Sequence, residues 1–311
     1  MKSGILIHPE ELTKKWIDRM ADRGVSIMGL HPIGGRDAND SLAQLLELQQ
    51  TSDFRALIDY AISRGMEIEY EMHAVGYLMP RELFATHPDY FRMDEDGQRN
   101  PDRNLCVSNA QGLALLGSRA RELAKSLYRS RPVFYFWMDD TRGKICRCPA
   151  CRRHSASEQQ LIALNAMIRE IRREIPTARM AYLAYLDAIE VPHGVTPEAG
   201  VFLEYAPIEK AKPVRDPVLV AQELRATREQ LAYFGKQDAK VLEYWLDNSL
   251  FSGWKKPPKA FAADAEAIRA DIAEYRSLGF DTVATFGCFL GEDYEALYGE
   301  PDITPFTDAC K

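Results

Sequence analysis

Two adjacent carboxylates at the end of an apolar run are the residues of this sequence best suited to chemistry. Asp139 and Asp140 follow residues 133–138, whose aromatic rings and valine predict a buried strand. Acids are costly to place at the end of such a strand, and proteins that do so usually use them for chemistry. One acid of a pair can protonate the leaving oxygen of a glycosidic bond, so the pattern favours sugar hydrolysis. The alternative is that one acid caps the next helix and the other pairs with an arginine.

Polar and aromatic residues also stand at the ends of most other apolar segments. Aromatic rings can stack on the apolar faces of sugars, while arginine and carboxylate groups bind hydroxyls. The predicted substrate-binding residues are His31, Arg36, Glu71, His73, Tyr185, Glu204, Tyr205, Glu243, Trp245 and Asp247. Helix caps and core histidines explain any one of these residues, but they explain the whole set poorly.

Two other classes of function fit part of this set. A metal-dependent isomerase, lyase or hydrolase would bind Zn²⁺ or Mn²⁺ through nitrogen and oxygen ligands. Its candidate ligands, which form no compact motif, are His8, His31, His73, Glu71, Glu204, Glu243 and Asp247. The third class is a sugar-binding barrel that has lost catalysis. The glycosidase itself requires no cofactor for catalysis.

The elements that would position these residues alternate between strand and helix. Strands are predicted at 4–8, 25–31, 66–73, 133–138, 179–186, 201–205, 240–246 and 281–288. Helices are predicted at 10–23, 54–64, 111–128, 157–174, 218–234 and 261–278, and residues 104–109 are a short strand or an extended arm. About eight βα units predict an α/β fold, a single (β/α)8 TIM barrel over residues 1–311. Its active site would lie at the carboxyl ends of the strands.

Residues 74–103 are the predicted insertion over the carboxyl-terminal face of the barrel. The segment is long for a βα loop and rich in aromatic and charged residues, as substrate-shaping lids are. The alternative is a packing flap whose rings are buried against helices. Residues 247–259, which include Trp254, are predicted to form the opposite wall of the cleft.

Four of the six cysteines form a candidate metal site. Cys146, Cys148 and Cys151 have zinc-knuckle spacing, and Cys106 lies on a segment that can supply a fourth thiolate. A structural zinc ion there would pin the loop after the acid pair. A disulfide and reduced, metal-free thiols remain the alternatives.

Composition limits the partners of the chain. A net charge of -7 argues against a nucleic-acid partner, for which a basic face would be needed. No apolar run reaches the roughly 18 residues of a membrane-spanning helix. The first residues resemble no signal peptide, so we expect a cytoplasmic protein, or an exported one if a leader has been trimmed. The predicted partner is an oligosaccharide or glycan substrate, and the oligomeric state is left open.

An ordered series of short motifs adds a family resemblance. The series comprises Tyr-Glu-Met-His-Ala at 70–74, Phe-Ala-Thr-His-Pro-Asp-Tyr-Phe at 84–91, Asp-Gly-Gln-Arg at 96–99, Asn-Leu-Cys-Val-Ser-Asn at 104–109, the acid pair and the cysteine cluster. It resembles bacterial TIM-barrel domains formerly of unknown function, some of which are endo-β-N-acetylglucosaminidases of glycoside hydrolase family 163. These domains are related to hexosaminidase and α-glucuronidase barrels. The resemblance is clearest from Tyr70 to Arg152.

The resemblance implies hydrolysis of N-acetylhexosamine-containing glycans by a retaining, substrate-assisted mechanism. Asp140 would be the general acid, and Asp139 would steer the 2-acetamido group that attacks the anomeric carbon. Adjacent residues of an extended strand point to opposite faces, so both acids reach one centre only where the strand bends into its loop. Related hexosaminidase barrels generally have Asp-Glu at this place, whereas the second acid here is the shorter Asp140.

Overall fold

Eight parallel strands form the centre of the computed structural model, which describes residues 1–212 and 214–311. The strands are β1 Lys2–Ile7, β2 Ile27–Leu30, β3 Glu67–His73, β4 Val133–Trp137, β5 Arg179–Ala184, β6 Val201–Tyr205, β7 Lys240–Glu243 and β8 Thr282–Phe286. Each strand pairs with the next along the chain, and β8 pairs with β1. The barrel is therefore closed, which confirms the predicted TIM-barrel fold.

Helices connect the strands and cover the outside of the barrel. They are α1 Lys14–Asp22, α2 Ala38–Leu48, α3 Ser52–Ser63, α4 Val75–Leu78, α5 Ala110–Ser126, α6 Ala156–Glu174, α7 Ile208–Ala211, α8 Pro217–Phe234, α9 Asn248–Phe251, α10 Ala265–Leu278, α11 Glu292–Tyr298 and α12 Thr304–Cys310. The sequence pattern predicts the six long connecting helices but not α2, α11 or α12. No helix in the described residues has the length and hydropathy needed to cross a membrane.

Two predicted helices begin later than expected because capping side chains fix their first turns. Thr13 accepts a hydrogen bond from the Trp16 amide at 3.2 Å, so α1 begins after it, while Pro9–Glu11 forms a separate 3-10 turn. Asp264 accepts hydrogen bonds from the first amides of α10 in the same way. Residues 104–109 are an irregular arm that leads into α5, without strand pairing.

Side chains alternate along each strand between the barrel interior and the helix layer, which determines what can reach the active site. On β7, Leu242 lies in the interior cluster, whereas Val241 packs with the helices. On β6, Phe202 lies inside and Leu203 outside. The strand ends therefore present only every second residue to the mouth of the barrel.

A buried ionic cluster fills part of the barrel interior. The Lys240 ammonium donates hydrogen bonds to Glu69 at 2.9 Å and to Glu71 at 2.5 Å, and lies 3.4 Å from Glu204. Burial disfavours the charged ammonium, but Glu69 and Glu71 raise the pKa of Lys240 well above its ordinary value. Burial raises the pKa of Glu71 well above its ordinary value. A protonated Glu71 leaves fewer negative charges around the single ammonium of Lys240.

Candidate active site

A cavity of about 520 Å³ opens where the strands end at their carboxyl termini. Its volume lies in the range of small-molecule sites, and it occupies the face where TIM-barrel chemistry takes place. The polar residues that line it are His8, His31, Asp37, His73, Asp140, Tyr185, Tyr244, Asp247, Ser249 and Cys288, and the larger rings are Trp137, Trp254, Phe286 and Phe289. Strands from all around the barrel therefore contribute to a single candidate site.

Asp140 is the member of the acid pair that faces this cavity. The Tyr185 hydroxyl donates a hydrogen bond to Asp140 Oδ1 at 3.1 Å. Burial, and then the neighbouring Asp140 carboxylate, raise the pKa of Tyr185 well above its ordinary value, so the phenol keeps its proton. Asp140 Oδ2 carries no protein hydrogen bond among the described residues, which leaves this oxygen available to a ligand.

Asp139 points away from the cavity into a set of protein contacts. Its Oδ2 atom accepts a hydrogen bond from the Asn104 amide at 2.5 Å and pairs with the Arg81 guanidinium. The Asp139 amide in turn donates to Asn104 Oδ1 at 3.0 Å. The expected meeting of both acids at one centre is therefore not seen, because consecutive residues leave the strand in opposite directions.

Four of the predicted substrate-binding residues line the cavity: His31, His73, Tyr185 and Asp247. Asp247 begins α9, and its Oδ1 atom accepts hydrogen bonds from the Ser249 and Leu250 amides and the Ser249 hydroxyl. Its Oδ2 atom has no partner among the described residues. Burial raises the pKa of Asp247 above its ordinary value.

The other six lie elsewhere. Arg36 is exposed on the loop after β2, although its neighbours Gly35 and Asp37 line the cavity. Glu71 and Glu204 point inward but sit fully buried below the cavity, with Lys240.

Tyr205, Glu243 and Trp245 point outward because they occupy the alternate positions of their strands. The Tyr205 hydroxyl donates to the Glu223 carbonyl at 2.8 Å, and Lys210 lies 2.7 Å from Glu243. The Trp245 indole donates to Asp271 at 3.0 Å. All three side chains thus stabilise the packing of helices on the barrel.

The residues of the cavity that were not predicted to bind substrate include His8, Trp137 and Tyr244. Trp137 donates its indole hydrogen to Glu204 at 2.9 Å, so the buried acid holds the ring that forms the cavity floor. Burial, followed by the nearby Tyr185, Asp140 and Asp247, raises the pKa of Tyr244 well above its ordinary value. The alternation of side chains along β7 is the signal that favours Tyr244 over its neighbours, once the inward face of that strand is known.

Two further features shape the cavity. An added Cβ on Gly34 would lie 3.1 Å from His73 Cδ2, so a side chain there would crowd the histidine ring, and 3.6 Å from Asp140 Oδ2, which is ordinary contact. Trp254 lines the cavity while 64% exposed, and it presents a ring to an incoming ligand. The segment 247–259 therefore forms one wall of the cavity.

Residues 74–103 contribute nothing to the lining of this cavity in the described structure. Tyr90 and Phe91 are buried, and the Cys106 amide donates to the Tyr90 carbonyl at 2.8 Å. Arg81 reaches Asp139 from this segment. These contacts are of the kind that the packing-flap alternative expects, and the lid stays a prediction.

Cys106, Cys146, Cys148 and Cys151 meet in a buried cluster, with all four sulfur atoms within 4.8 Å of one another. Cys106 Sγ lies 3.8 Å from the sulfur atoms of both Cys148 and Cys151. This separation is nearly twice the length of a disulfide bond. The Met93 amide donates to Cys146 Sγ at 3.3 Å, and the Cys151 amide donates to Cys148 Sγ at 3.4 Å. Such donors stabilise negative charge on sulfur.

Fold and site together define a TIM barrel with a polar, ring-lined cavity at the carboxyl-terminal face of its strands. The sequence profile of the family described as "Domain of unknown function (DUF4838)" matches residues 42–231, more than half of the chain. The chain therefore belongs to the DUF4838 family. A search of curated proteins finds no match.

Solved structures with a similar fold include enzymes that act on carbohydrates. The O-GlcNAc hydrolase of Thermobaculum terrenum aligns over 99% of this chain and 58% of its own, with a TM-score of 0.57 and 10% identity. The pneumococcal exo-β-D-N-acetylglucosaminidase StrH aligns over 100% and 84%, with a TM-score of 0.52 and 13% identity. The β-galactosidase of Rahnella sp. R3 aligns over 92% and 50%, with a TM-score of 0.54 and 13% identity. This chain therefore spans about half the length of that β-galactosidase. At these identities the likeness shows a shared fold.

Proposed function

We propose that this protein hydrolyses glycosidic bonds in N-acetylhexosamine-containing glycans, with Asp140 as the general acid. The observation that carries the proposal is the position of Asp140: it is the acid of the pair that faces the ring-lined cavity, with Oδ2 free. The Tyr185 hydroxyl orients Oδ1, so a proton on Oδ2 can be directed at a leaving oxygen. The O-GlcNAc hydrolase and N-acetylglucosaminidase among the similar folds support this choice of sugar.

The proposed mechanism is substrate-assisted. The 2-acetamido oxygen attacks the anomeric carbon while Asp140 transfers its proton to the leaving oxygen, and the glycosidic bond breaks. The ionised Asp140 then removes a proton from water, which opens the oxazolinium ring with overall retention of configuration. Asp140 ends the cycle protonated, so the proton balance closes.

The acetamido-steering role that the resemblance gives to Asp139 conflicts with its position, since Arg81 and Asn104 bind its Oδ2 atom and its carboxylate does not line this cavity. We assign Asp139 instead to positioning the loop that carries Asp140. Asp247 is our candidate for orienting the acetamido N–H, because its Oδ2 atom is unpartnered and its carboxylate lines the same cavity.

A panel of aryl glycosides and free N-glycans tests the activity, with wild type compared with Asp140→Asn. We expect N-acetylglucosaminide or N-glycan cleavage by wild type and a loss of about a thousandfold in the variant. Binding of these sugars without turnover would favour the sugar-binding barrel. Inertness on every glycan, together with a stoichiometric metal that survives replacement of Cys146, Cys148 and Cys151, would favour the metal-dependent class.

The contacts of the candidate oxygen ligands weigh against the metal-dependent class. Glu71 and Glu204 lie with Lys240 in the interior, and Glu243 pairs with Lys210 on the outside of the barrel. These three acids do not share one centre with the histidines. Asp247 does line the cavity with them, but in the described residues their ligand atoms do not converge within 4.8 Å. In the described residues, the cysteine cluster is the group whose ligand atoms converge.

We also propose that the four-cysteine cluster binds a structural zinc ion. Thiolates bound to one Zn²⁺ at about 2.3 Å stand about 3.8 Å apart at the corners of a tetrahedron. The separations of Cys106 from Cys148 and Cys151 match that edge. Arg99, 3.9 Å from Cys146 Sγ, offsets part of the negative charge of four thiolates. The ion would fix the loop after β4 to the arm that carries Asn104.

Metal analysis of the purified chain tests this site. We expect about one zinc ion per chain, lost in Cys148→Ser and kept in the matched control Cys310→Ser, whose residue lies in α12 away from the cluster. A metal-free wild type would contradict the proposal. Thiol titration in denaturant would then distinguish a disulfide, with four reactive thiols, from free cysteines, with all six.

A further inference from the structure

Three histidines from consecutive strands share one arrangement at the cavity. His8 Nδ1 lies 2.8 Å from the carbonyl of His31, and His31 Nδ1 lies 2.8 Å from the carbonyl of Glu71. His73 Nδ1 lies 2.6 Å from the carbonyl of Met138. A carbonyl oxygen can only accept a hydrogen bond, so each Nδ1 carries the hydrogen. In the neutral ring, Nε2 is then an acceptor.

The three Nε2 atoms are available to a ligand. All three rings line the cavity, and no Nε2 of the three has a protein hydrogen-bond partner among the described residues. The rings of His8 and His31 are 5.9 Å apart between centroids, and those of His31 and His73 are 6.2 Å apart. Burial lowers the pKa of His31 well below its ordinary value, so this ring stays neutral near pH 7. The side chains form one continuous wall.

The acidic side chains that line the cavity limit which ligands can bind there. Asp37, Asp140 and Asp247 face the same space, and no lysine or arginine of the described chain lines it. An anionic ligand would meet the carboxylates of Asp37 and Asp247 and no compensating cation, which is unfavourable in a partly buried site. A ligand rich in hydroxyl donors would instead satisfy the free acceptors.

A metal ion fits this wall poorly. Ligand atoms around one ion must converge, and the three histidines are not among the groups of the described residues whose ligand atoms lie within 4.8 Å of one another. His8 and His31 are also stacked, with an interplanar angle of 28°. Nearly parallel rings direct their Nε2 lone pairs side by side rather than at a common point.

We propose that His8, His31 and His73 form a row of hydrogen-bond acceptors that binds the hydroxyl groups of an uncharged sugar ring, and that the cavity rejects acidic sugars. This inference rests on the proposed function for the sugar class, and it specifies the subsite further. We expect acidic sugars to be rejected because, in the described residues, acids line the cavity and no lysine or arginine does. A cavity built to bind a uronic acid would instead offer a positive charge.

Paired substitutions test Nε2, which would bind the ligand, separately from Nδ1, which bonds to a backbone carbonyl. In His→Asn, the side-chain amide nitrogen lies near the former Nδ1 and keeps the bond to the carbonyl, while the Nε2 acceptor is lost. In His→Gln, the amide oxygen lies near the former Nε2 and keeps an acceptor in the cavity. Both changes would be made at His73 and at His31. The control is His193→Asn, because His193 is exposed on the surface.

The measurement is equilibrium binding of N-acetylglucosamine and glucuronic acid in the Asp140→Asn background, with thermal unfolding recorded in parallel. We expect N-acetylglucosamine to bind at least tenfold more tightly than glucuronic acid. Each His→Asn change should weaken the binding of N-acetylglucosamine about five- to tenfold, with little change in the melting temperature of the protein. Each His→Gln change should retain more of the affinity and lower the melting temperature.

Equal binding of both sugars, or full affinity in the His→Asn variants, would overturn the acceptor row. A metal ion lost specifically in the histidine variants would also overturn it. The proposed function is tested separately from the acceptor row, because it depends on turnover rather than on affinity. Turnover with unaltered affinity in the histidine variants would leave the glycosidase intact and reject the row, whereas sugar binding without turnover in wild type would do the reverse.

Discussion

Asp139 and Asp140 are neighbours in sequence but belong to two regions with opposite character. The region around Asp139, which we call the anchor, consists of Asp139, Arg81, Asn104 and the cysteine cluster, and its acid is bound by protein partners. The region around Asp140 is the cavity, where the Oδ2 atoms of Asp140 and Asp247 and the Nε2 atoms of three histidines have no protein partner among the described residues. The difference shows that two carboxylates one residue apart can have opposite surroundings: an ion pair holds Asp139, whereas Asp140 lines the cavity and accepts one hydrogen bond, from Tyr185.

The two regions are also mechanically linked. The Asp139 amide and carboxylate both bond to Asn104, and the Asn104 side chain donates to the Lys144 carbonyl at 3.0 Å. Cys106 lies two residues beyond Asn104 and joins the cluster. The anchor therefore fixes the backbone from which Asp140 projects, so a rigid site can be built on a loop.

The sharpest test of the anchor is to break its ion pair. Arg81→Gln leaves a mostly buried carboxylate without its charged partner, and we expect it to lower the free energy of unfolding by about 2 kcal/mol. Urea unfolding measures the loss. Arg103→Gln, which changes a nearby arginine without an ion pair to Asp139, is the matched control.

The same comparison predicts that Asp139→Asn lowers stability more than Asp140→Asn does, because only the first change removes partnered charge. A larger stability loss in Asp140→Asn than in Asp139→Asn would show that the roles assigned to the two acids are exchanged.

On the cavity side, the exposed ring of Trp254 should affect substrate binding. Trp254→Leu removes the ring, and we expect KM to rise about fivefold, in line with an aromatic contact worth about 1 kcal/mol. Trp254→Phe keeps a ring and should recover most of the affinity. Both replacements face the same backbone cost, since the residue has a φ of 55°, so their difference reports the ring. Equal KM values for the two variants would remove Trp254 from the binding wall.

The buried histidine should also give the stability of the fold a pH dependence. The folded pKa of His31 lies well below its ordinary value of 6.5, so the unfolded chain binds more protons between the two values. The His31 contribution to stability is therefore present above about pH 6.5 and is lost as pH falls below it, by at most about 1.4 kcal/mol per pH unit. His31→Asn should flatten this part of the curve between pH 7.5 and 5. Superimposable slopes in the two proteins would show that folding does not lower the pKa of His31.

Glu71 provides an internal contrast with the opposite sign. Its folded pKa is raised by burial, so its contribution falls as pH rises above the ordinary value of 4.5. Because Glu71 is common to wild type and His31→Asn, comparing the two proteins at each pH cancels its contribution.

The fold could be predicted well from the sequence because its signal is periodic and repeated. Apolar runs separated by amphipathic helices imply a parallel sheet, and eight such units favour closure into a barrel. Helix α2 was not predicted, since no element was assigned between the strand at 25–31 and the helix at 54–64.

The site could be predicted only in part, because the inward face of each strand is a tertiary property. A shift of one residue exchanges inside for outside, which is why Glu243 and Trp245 were chosen and Tyr244 was not. Depth is equally invisible in sequence: Glu71 and His73 share a face of β3, but only His73 reaches the cavity. The opposite directions of Asp139 and Asp140 depend on long-range contacts with Arg81 and Asn104.

The most direct test of Asp140 as the general acid uses leaving groups of different basicity. We would measure kcat/KM of wild type and Asp140→Asn on aryl N-acetylglucosaminides with poor and good leaving groups, such as 4-methoxyphenyl and 2,4-dinitrophenyl. A good leaving group departs without protonation, so only the poor one needs the acid. If Asp140 is the general acid, we expect kcat/KM of Asp140→Asn to fall about a thousandfold or more with 4-methoxyphenyl and less than about tenfold with 2,4-dinitrophenyl. Equal losses on both substrates would contradict it and assign Asp140 to substrate binding alone.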